Sequence, residues 1–220
     1  MGRSEVFTRH PWLRRLLAPL LVCLWVGLVL YPDPRPLLSS LTRLVHPPID
    51  AEAVAELATA LPDDPAIVEA FSQEYVPYHT SWDLYGQFWY FPTVAEVVAG
   101  KGGDCQAEAI LTASILKAKG LPFTLRYSLD HIWVDYAGKA VTKLEDPGTA
   151  IASDEGGGLL GRLPDRLPLR DIIHERVAYH WTPMPAERKL LILMGLLAAV
   201  LFAEWPLIRR QWSWSRSPTV

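Results

Sequence analysis

The chain is poor in cysteine. Its 220 residues hold two, Cys23 and Cys105. Two thiols cannot build the framework of a disulfide-stapled secreted scaffold, and Cys23 sits in an apolar run far from Cys105. Metal-ligand spacing is missing as well: no His-Glu-x-x-His pattern occurs, and His174 and His180 stand at no ligand interval, so they read as surface or packing residues. No metal and no organic cofactor is implied. Positive charge is scarce in the middle of the chain. The net charge is −3, and between Pro32 and Lys189 fourteen Lys/Arg stand against twenty-two Asp/Glu. That balance argues against a nucleic-acid partner. A small-x-small cleavage site before the polar segment Tyr31–Pro36 is also absent, so the apolar run that precedes it reads as an uncleaved anchor.

What is present is apolar and aromatic. Half of the chain is hydrophobic and nine residues are tryptophan, a composition that fits attachment to a membrane. Residues 1–15 carry Arg3, Arg9, Arg14 and Arg15. Residues 16–31 are almost wholly apolar and are expected to form a first transmembrane helix. Residues 190–208 form a second apolar run, interrupted by Glu204 and Pro206, with Trp205, Arg209 and Arg210 as an interfacial anchor. It is expected to be a second span, followed by a basic tail over 209–220. Arginines at both outer ends put both termini in the cytoplasm and the middle across an inner or plasma membrane, a two-pass arrangement with a periplasmic or extracellular domain.

Between the spans, 32–70 read as a proline-punctuated helical lead-in, with Asp50 capping a helix over 51–61 and Asp63 or Asp64 capping one from Pro65 to Glu74. Residues 75–91 carry Tyr75, Tyr78, Trp82, Tyr85, Phe88, Trp89, Tyr90 and Phe91 in one short stretch. Most are expected to pack the core. One or two can line a substrate cleft, because aromatics join an apolar wall to a polar handle. Trp82, Tyr85, Trp89, Gln106 and Trp133 are the cleft candidates. Thr93 is expected to cap a short helix that leads to Gly102 and Gly103.

The stretch from Lys101 to Gly120 organises the rest. Asp104 has the character of an N-cap, Cys105 takes the first helical position, and Ala107, Ile110, Leu111, Ser114, Ile115 and Ala118 recur at helical spacing. Gly120 closes the helix and Pro122 follows. A helix N-terminus favours thiolate over thiol, and its free N–H groups can hold an oxyanion. The bland alternative is a small buried hydrophobe. After the helix come three β-prone runs, Phe123–Ser128, Ile132–Tyr136 and Ala140–Leu144, with a turn over Tyr136–Lys139. A helix followed by antiparallel strands predicts an α+β layer. His131 opens the second run and Asp146 ends the third. A thiol nucleophile needs a base, and the base needs an orienting acceptor. Cys105, His131 and Asp146 can supply these in order. Asp135 is a second possibility for the acid, and Asp146 can also be read as a turn residue before Pro147. A Gly-rich loop over 148–167 and a return helix over Leu169–Tyr179 complete the middle section, 151–189.

Several pieces together resemble the transglutaminase-like superfamily, a circularly permuted relative of papain-type cysteine proteases. They are Gly-Gly-Asp-Cys-Gln-Ala-Glu-Ala, the Leu-x-Ala-x-Ile-Leu-x-Ala-x-Gly-Leu-Pro helix and exit, His-x-Trp-Val-Asp-Tyr and Glu-Asp-Pro, preceded by Tyr78 and Phe91–Glu96. The resemblance covers roughly 71–150, which it implies is a transglutaminase-like domain. It implies Cys105 as nucleophile, His131 as acid/base and Asp146 as orienter. Two departures stand out: a short segment between Cys105 and His131, and Val141-Thr-Lys-Leu144 where the family has a tryptophan. The implied chemistry is acyl transfer to an amine, or hydrolysis, on a peptide or protein substrate in the cell envelope. The competing expectation is an inactive binding or scaffold module with a membrane-protein partner. A third is a processing protease held close to the bilayer.

Overall fold

The computed structural model describes residues 11–128, 131–142, 145–153 and 176–214. The chain divides into two compact units. One is formed by its two ends, up to Asp33 and from Met184. The other runs from Pro34 to Pro183.

The middle unit is α+β, as its sequence pattern predicts. Its helices are α2 (Arg35–Val45), α3 (Ala55–Ala60), α4 (Pro65–Tyr75), α5 (Ser81–Tyr85), α6 (Val94–Gly100) and α7 (Cys105–Ala118), numbered after the terminal helix α1. Capping sets several of these starts. Asp64 accepts from Ala66 N–H at the head of α4. Thr93 and Glu96 close a reciprocal capping box on α6, and Asp104 accepts from Gln106 and Ala107 N–H on α7. The helix expected from Asp50 onward begins later, at Ala55. Asp50 accepts from Glu52 and Ala53 N–H and folds a turn there instead.

Helix α7 is the centre of the core. Ala107 and every residue from Ala109 to Leu116 are buried, while Ala118 is exposed. This differs from the one-sided stripe that the sequence suggests. The reason is that α3, α4 and α6 pack on it together with a strand, and a helix covered on all sides has no polar face to keep. Its one buried hydroxyl that lies far from the site, Ser114, accepts Asp50 N–H at 3.0 Å.

The sheet has three short antiparallel strands in the order β2-β1-β3: β1 Thr124–Tyr127, β2 Ile132–Asp135 and β3 Ala152–Ser153. The first two fall inside the expected runs, and Leu125 pairs with Val134. The third does not. Ala140–Thr142 form no strand, and Ala152 pairs with Tyr127 on the other side of β1. The turn at Tyr136–Lys139 does form, with Gly138 at φ 87° and Lys139 N–H donating to Tyr136 O. Lys139 then turns inward and puts its ammonium on Val134 O at 2.7 Å, which occupies a β2 carbonyl in that turn. The Gly-rich loop and most of the return helix expected over Leu169–Tyr179 lie outside the described residues. Val177–Trp181 form a single π-helical turn.

The terminal unit is a pair of helices, α1 (Pro11–Leu30) and α8 (Ala186–Trp214). They run antiparallel: Arg15 pairs with Glu204 at 3.3 Å, Trp25 Nε1–H donates to Leu191 O at 2.7 Å, and Arg188 donates to Val29 O. Gly195 allows the close approach, because a Cβ there would stand 2.0 Å from Trp25 Cδ1. Among the described residues one helix, over Trp12–Leu30, is long and apolar enough to cross a membrane. The second apolar run lies within α8, a longer helix that also contains Glu187, Arg188, Lys189 and Glu204.

Candidate functional site

Cys105 stands at the head of α7 because the chain before it is tied down twice. Gly103 N–H donates to Pro77 O and Gly103 O accepts His79 N–H. Glycine is needed at 103 for room, since a Cβ would lie 2.2 Å from that of Ala107. Neither Gly102 nor Gly103 has positive φ, and the left-handed residue here is Lys101 at φ 46°.

Asp104 fills the helix N-terminus. Its Oδ1 takes Gln106 N–H at 2.9 Å and Ala107 N–H at 3.4 Å, and its Oδ2 takes the Gln106 side-chain amide at 3.0 Å and the Tyr179 hydroxyl at 2.5 Å. Burial raises the Asp104 carboxyl above its ordinary range despite these bonds. Cys105 keeps some exposed surface. Burial pushes its thiol up to about 12, with the Asp104 carboxylate adding to the rise and the nearby Ile132 N–H opposing it. The expectation that the helix end favours thiolate is thus corrected: the cap carboxylate has taken the N–H groups that would stabilise it. Gln106 N–H is likewise engaged, which leaves Cys105 N–H, at the first helical position, as the backbone donor with no intrahelical acceptor.

Cys105, His131 and Glu145 line one small cleft between α7 and β2. Cys105, Glu108, Ala109 and Thr112 make one wall, one face of the helix at i, i+3, i+4 and i+7. His131 to Val134 make the other, with Glu69 and Glu145 at the margin. His131 Nε2 lies 3.4 Å from Glu145 Oε1, and its ring stacks on Trp133 at 5.8 Å between centroids. Hydrogen bonding to His131, then to Lys139, lowers the Glu145 carboxyl. Lys139 is buried between Glu145, at 3.1 Å, and Glu69, which also takes the Tyr136 hydroxyl at 2.6 Å. A buried ammonium between two carboxylates holds this group together, and removing it would leave both without their shared cation.

The acid expected at Asp146 therefore has a neighbour in its place. Glu145 faces the imidazole, while Asp146 Oδ1 accepts Gly148 N–H at 2.8 Å and starts a 3₁₀ turn over Pro147–Thr149. Asp135, the second possibility, pairs with Arg126 Nε at 2.6 Å across β1 and β2.

The cleft candidates divide. Trp133 lines the cleft. Gln106 bridges Asp104 and the Trp89 indole, whose N–H donates to Gln106 Oε1 at 3.1 Å. Trp82 is buried and donates to His180 O at 3.0 Å, which makes it a packing wedge under the π-helical turn. Tyr85 stacks on Tyr90 at 4.5 Å, and burial, then Glu96, pushes its hydroxyl up to about 12. His180 packs on Phe88 at 4.3 Å, in keeping with a packing histidine. His174 lies outside the described residues. Glu69, Glu108, Glu145, Lys139 and Tyr179 are the site residues that sequence reading passed over. Of the Glu-Asp-Pro run, Glu145 is the member that contacts the imidazole, at 3.4 Å. Nothing in the sequence ties Tyr179 to Asp104. Among the described residues no group of three or more His, Cys, Asp or Glu is arranged to hold a metal ion. No protein-family model, curated protein or solved structure matches the chain.

Proposed function

We propose that the chain is a membrane-anchored cysteine enzyme of transglutaminase-like architecture that forms a thioester with a peptide or amide in the cell envelope. The observation that carries this reading is the shared cleft of Cys105, His131 and Glu145, with Glu145 on Nε2 of the imidazole. Pairing at Nε2 leaves Nδ1 to exchange a proton with the sulfur. Because the thiol is held high, proton transfer to His131 accompanies attack rather than preceding it. The sulfur adds to the carbonyl carbon, Cys105 N–H takes the oxyanion, and the imidazolium returns the proton to the leaving amine. Glu145 keeps the ring oriented and stabilises its charged form. Two spans, α1 and the apolar part of α8, with cytoplasmic termini, carry the domain on the far side of the membrane in this reading. Arginine flanks and the antiparallel pairing of the two helices support it.

A second reading, a scaffold module with a vestigial triad and a membrane-protein partner, draws on one feature: the cleft is small and the thiol is held in its neutral form. Reaction of the detergent-solubilised full chain with p-nitrophenyl acetate separates the two. The enzyme reading expects a burst of nitrophenol and an acetyl group on Cys105 by intact mass and peptide mapping. Both are lost in Cys105→Ala and strongly reduced in His131→Ala. An absence of acetylation in the wild-type chain leaves the scaffold reading standing. Reporter fusions at each terminus and at residue 140 test the topology.

A further inference from the structure

Helix α2 buries one side and bares the other. Ser40 accepts Phe91 N–H at 3.0 Å, and the Arg43 guanidinium donates to Phe91 O at 2.8 Å and to the Tyr90 hydroxyl at 3.0 Å. On the opposite side Leu38, Leu41 and Val45 stand at i, i+3 and i+7 and are 60%, 46% and 54% exposed. A second apolar spot lies at the other end of the middle unit, where Val177 and Trp181 are exposed on the π-helical turn. The aromatic stretch holds that turn as well: Trp82 donates to His180 O at 3.0 Å, and His180 packs on Phe88. Tyr85 against Tyr90 joins the two halves of the stretch. The aromatic load of 82–91 is thus a common support for both spots. Among the described residues of this unit, the other large hydrophobics of such exposure, Ile67, Tyr78 and Val141, stand singly in the sequence.

Both spots stand where the chain passes to the apolar terminal helices. Four residues separate α1 from α2, and four separate Trp181 from α8. A link of that length reaches less than about 20 Å when extended. Exposed Arg35 and Arg176 border the two spots. An apolar helix stripe with basic neighbours suits the boundary between lipid headgroups and acyl chains, and tryptophan favours the same depth. A stable protein interface uses roughly 20–30 residues a side, far more than these spots offer. We propose that Leu38, Leu41 and Val45, together with Val177 and Trp181, insert into the outer leaflet of the bilayer that the terminal helices cross, so that the middle unit is docked on the lipid surface. The proposal rests on the two-span reading above. Trp89 donates to Gln106, and Tyr179 to Asp104. The stretch and the turn therefore also hold the head of α7, and docking sets the height of the Cys105 cleft above the lipid.

The test uses the full chain in nanodiscs of phosphatidylcholine and phosphatidylglycerol, with Cys23→Ser and Cys105→Ala removing its own thiols. A nitroxide is attached through one added cysteine at a time. Leu41→Cys and Val177→Cys report the two spots, Leu20→Cys reports α1, and Ala118→Cys reports the exposed far end of α7. Collision with molecular oxygen marks lipid, and collision with a nickel chelate marks water. The oxygen-to-nickel ratio for Leu41→Cys and Val177→Cys is expected to be at least about threefold that for Ala118→Cys and below that for Leu20→Cys. A ratio equal to that of Ala118→Cys at either spot overturns the docking and leaves the spans standing. Shielding from both reagents overturns it too, in favour of a protein partner. A water-like ratio for Leu20→Cys overturns the two-span reading and the docking with it. The nitroxide is itself apolar, so a second variant controls for it. Leu38→Glu with Leu41→Glu, in the Val177→Cys chain, is expected to raise nickel collisions at the label at least about twofold. No change there overturns the docking.

Discussion

At the scale of single residues, Cys105 and Glu145 carry the most consequence. Burial and Asp104 hold the thiol up to about 12, so in a Cys23→Ser background its iodoacetamide labelling should still be climbing at about pH 10. A plateau near neutral pH would mean an imidazolium–thiolate pair at rest. Glu145 predicts a different contrast. Glu145→Gln removes the charge that stabilises imidazolium and should lower kcat/KM by about 10²-fold. Asp146→Asn keeps an equally good cap on the 3₁₀ turn and should change it by less than about threefold. If Asp146→Asn is the more damaging, the acid is Asp146 after all. The positions of Cys105 at a helix head and of His131 just before β2 were legible in the sequence because a cap before a helix and a histidine ahead of a strand are local patterns. The choice between two adjacent carboxylates was not legible. It depends on which carboxylate reaches His131 Nε2, a contact across 14 positions of sequence that leaves no local pattern.

At the scale of elements, α7 does two jobs. It carries Cys105 on its first residue and fills the core with most of the rest. Its start and its companions α4 and α6 were readable from Asp104, Asp64 and Thr93, since an oxygen placed two or three residues ahead of a free N–H is a short-range signal. Its burial on all sides was not readable, because that depends on which helices arrive from 55–100 to cover it. Asp104→Ala should cost about 1–2 kcal/mol through the lost cap alone, and should also leave the Tyr179 hydroxyl without its carboxylate. Urea unfolding measures that cost. Because burial raises the Asp104 carboxyl, the folded state holds its proton more tightly than the unfolded chain. Stability from this group is therefore greatest at low pH and falls as pH rises from the ordinary 3.8 to the raised value. The gap between wild type and Asp104→Asn should widen in the opposite sense, with the variant losing less over that range. A parallel pair of curves would show that Asp104 titrates normally.

At the scale of the whole chain, the two units are held by different physics. The 34–183 unit buries Phe91, Ile110, Leu111, Ile115, Leu116 and Leu125 completely, while α1 and α8 leave most of their leucines exposed. A fragment over 34–183 should therefore remain folded in water without detergent, with cooperative thermal unfolding and a single transition. Aggregation or a broad, non-cooperative transition would show that the terminal helices are part of the fold. The acidic middle and basic ends announced this partition in composition alone. Within the small sheet β1 and β2 were legible, while β3, returning to β1 from beyond residue 150, left almost no mark, since two residues of strand carry no period.

The bond between Asp104 and Tyr179 spans 75 positions of sequence. Ribosomes release a chain in order, so the cysteine, the histidine and the glutamate all emerge before the tyrosine that completes the cap of the cysteine helix. A nascent protein stopped near residue 150 would hold Cys105, His131 and Glu145 and still lack one of the hydrogen bonds around a buried carboxylate. The cap around Cys105 is thus completed only when a residue well downstream of Cys105, His131 and Glu145 has been made.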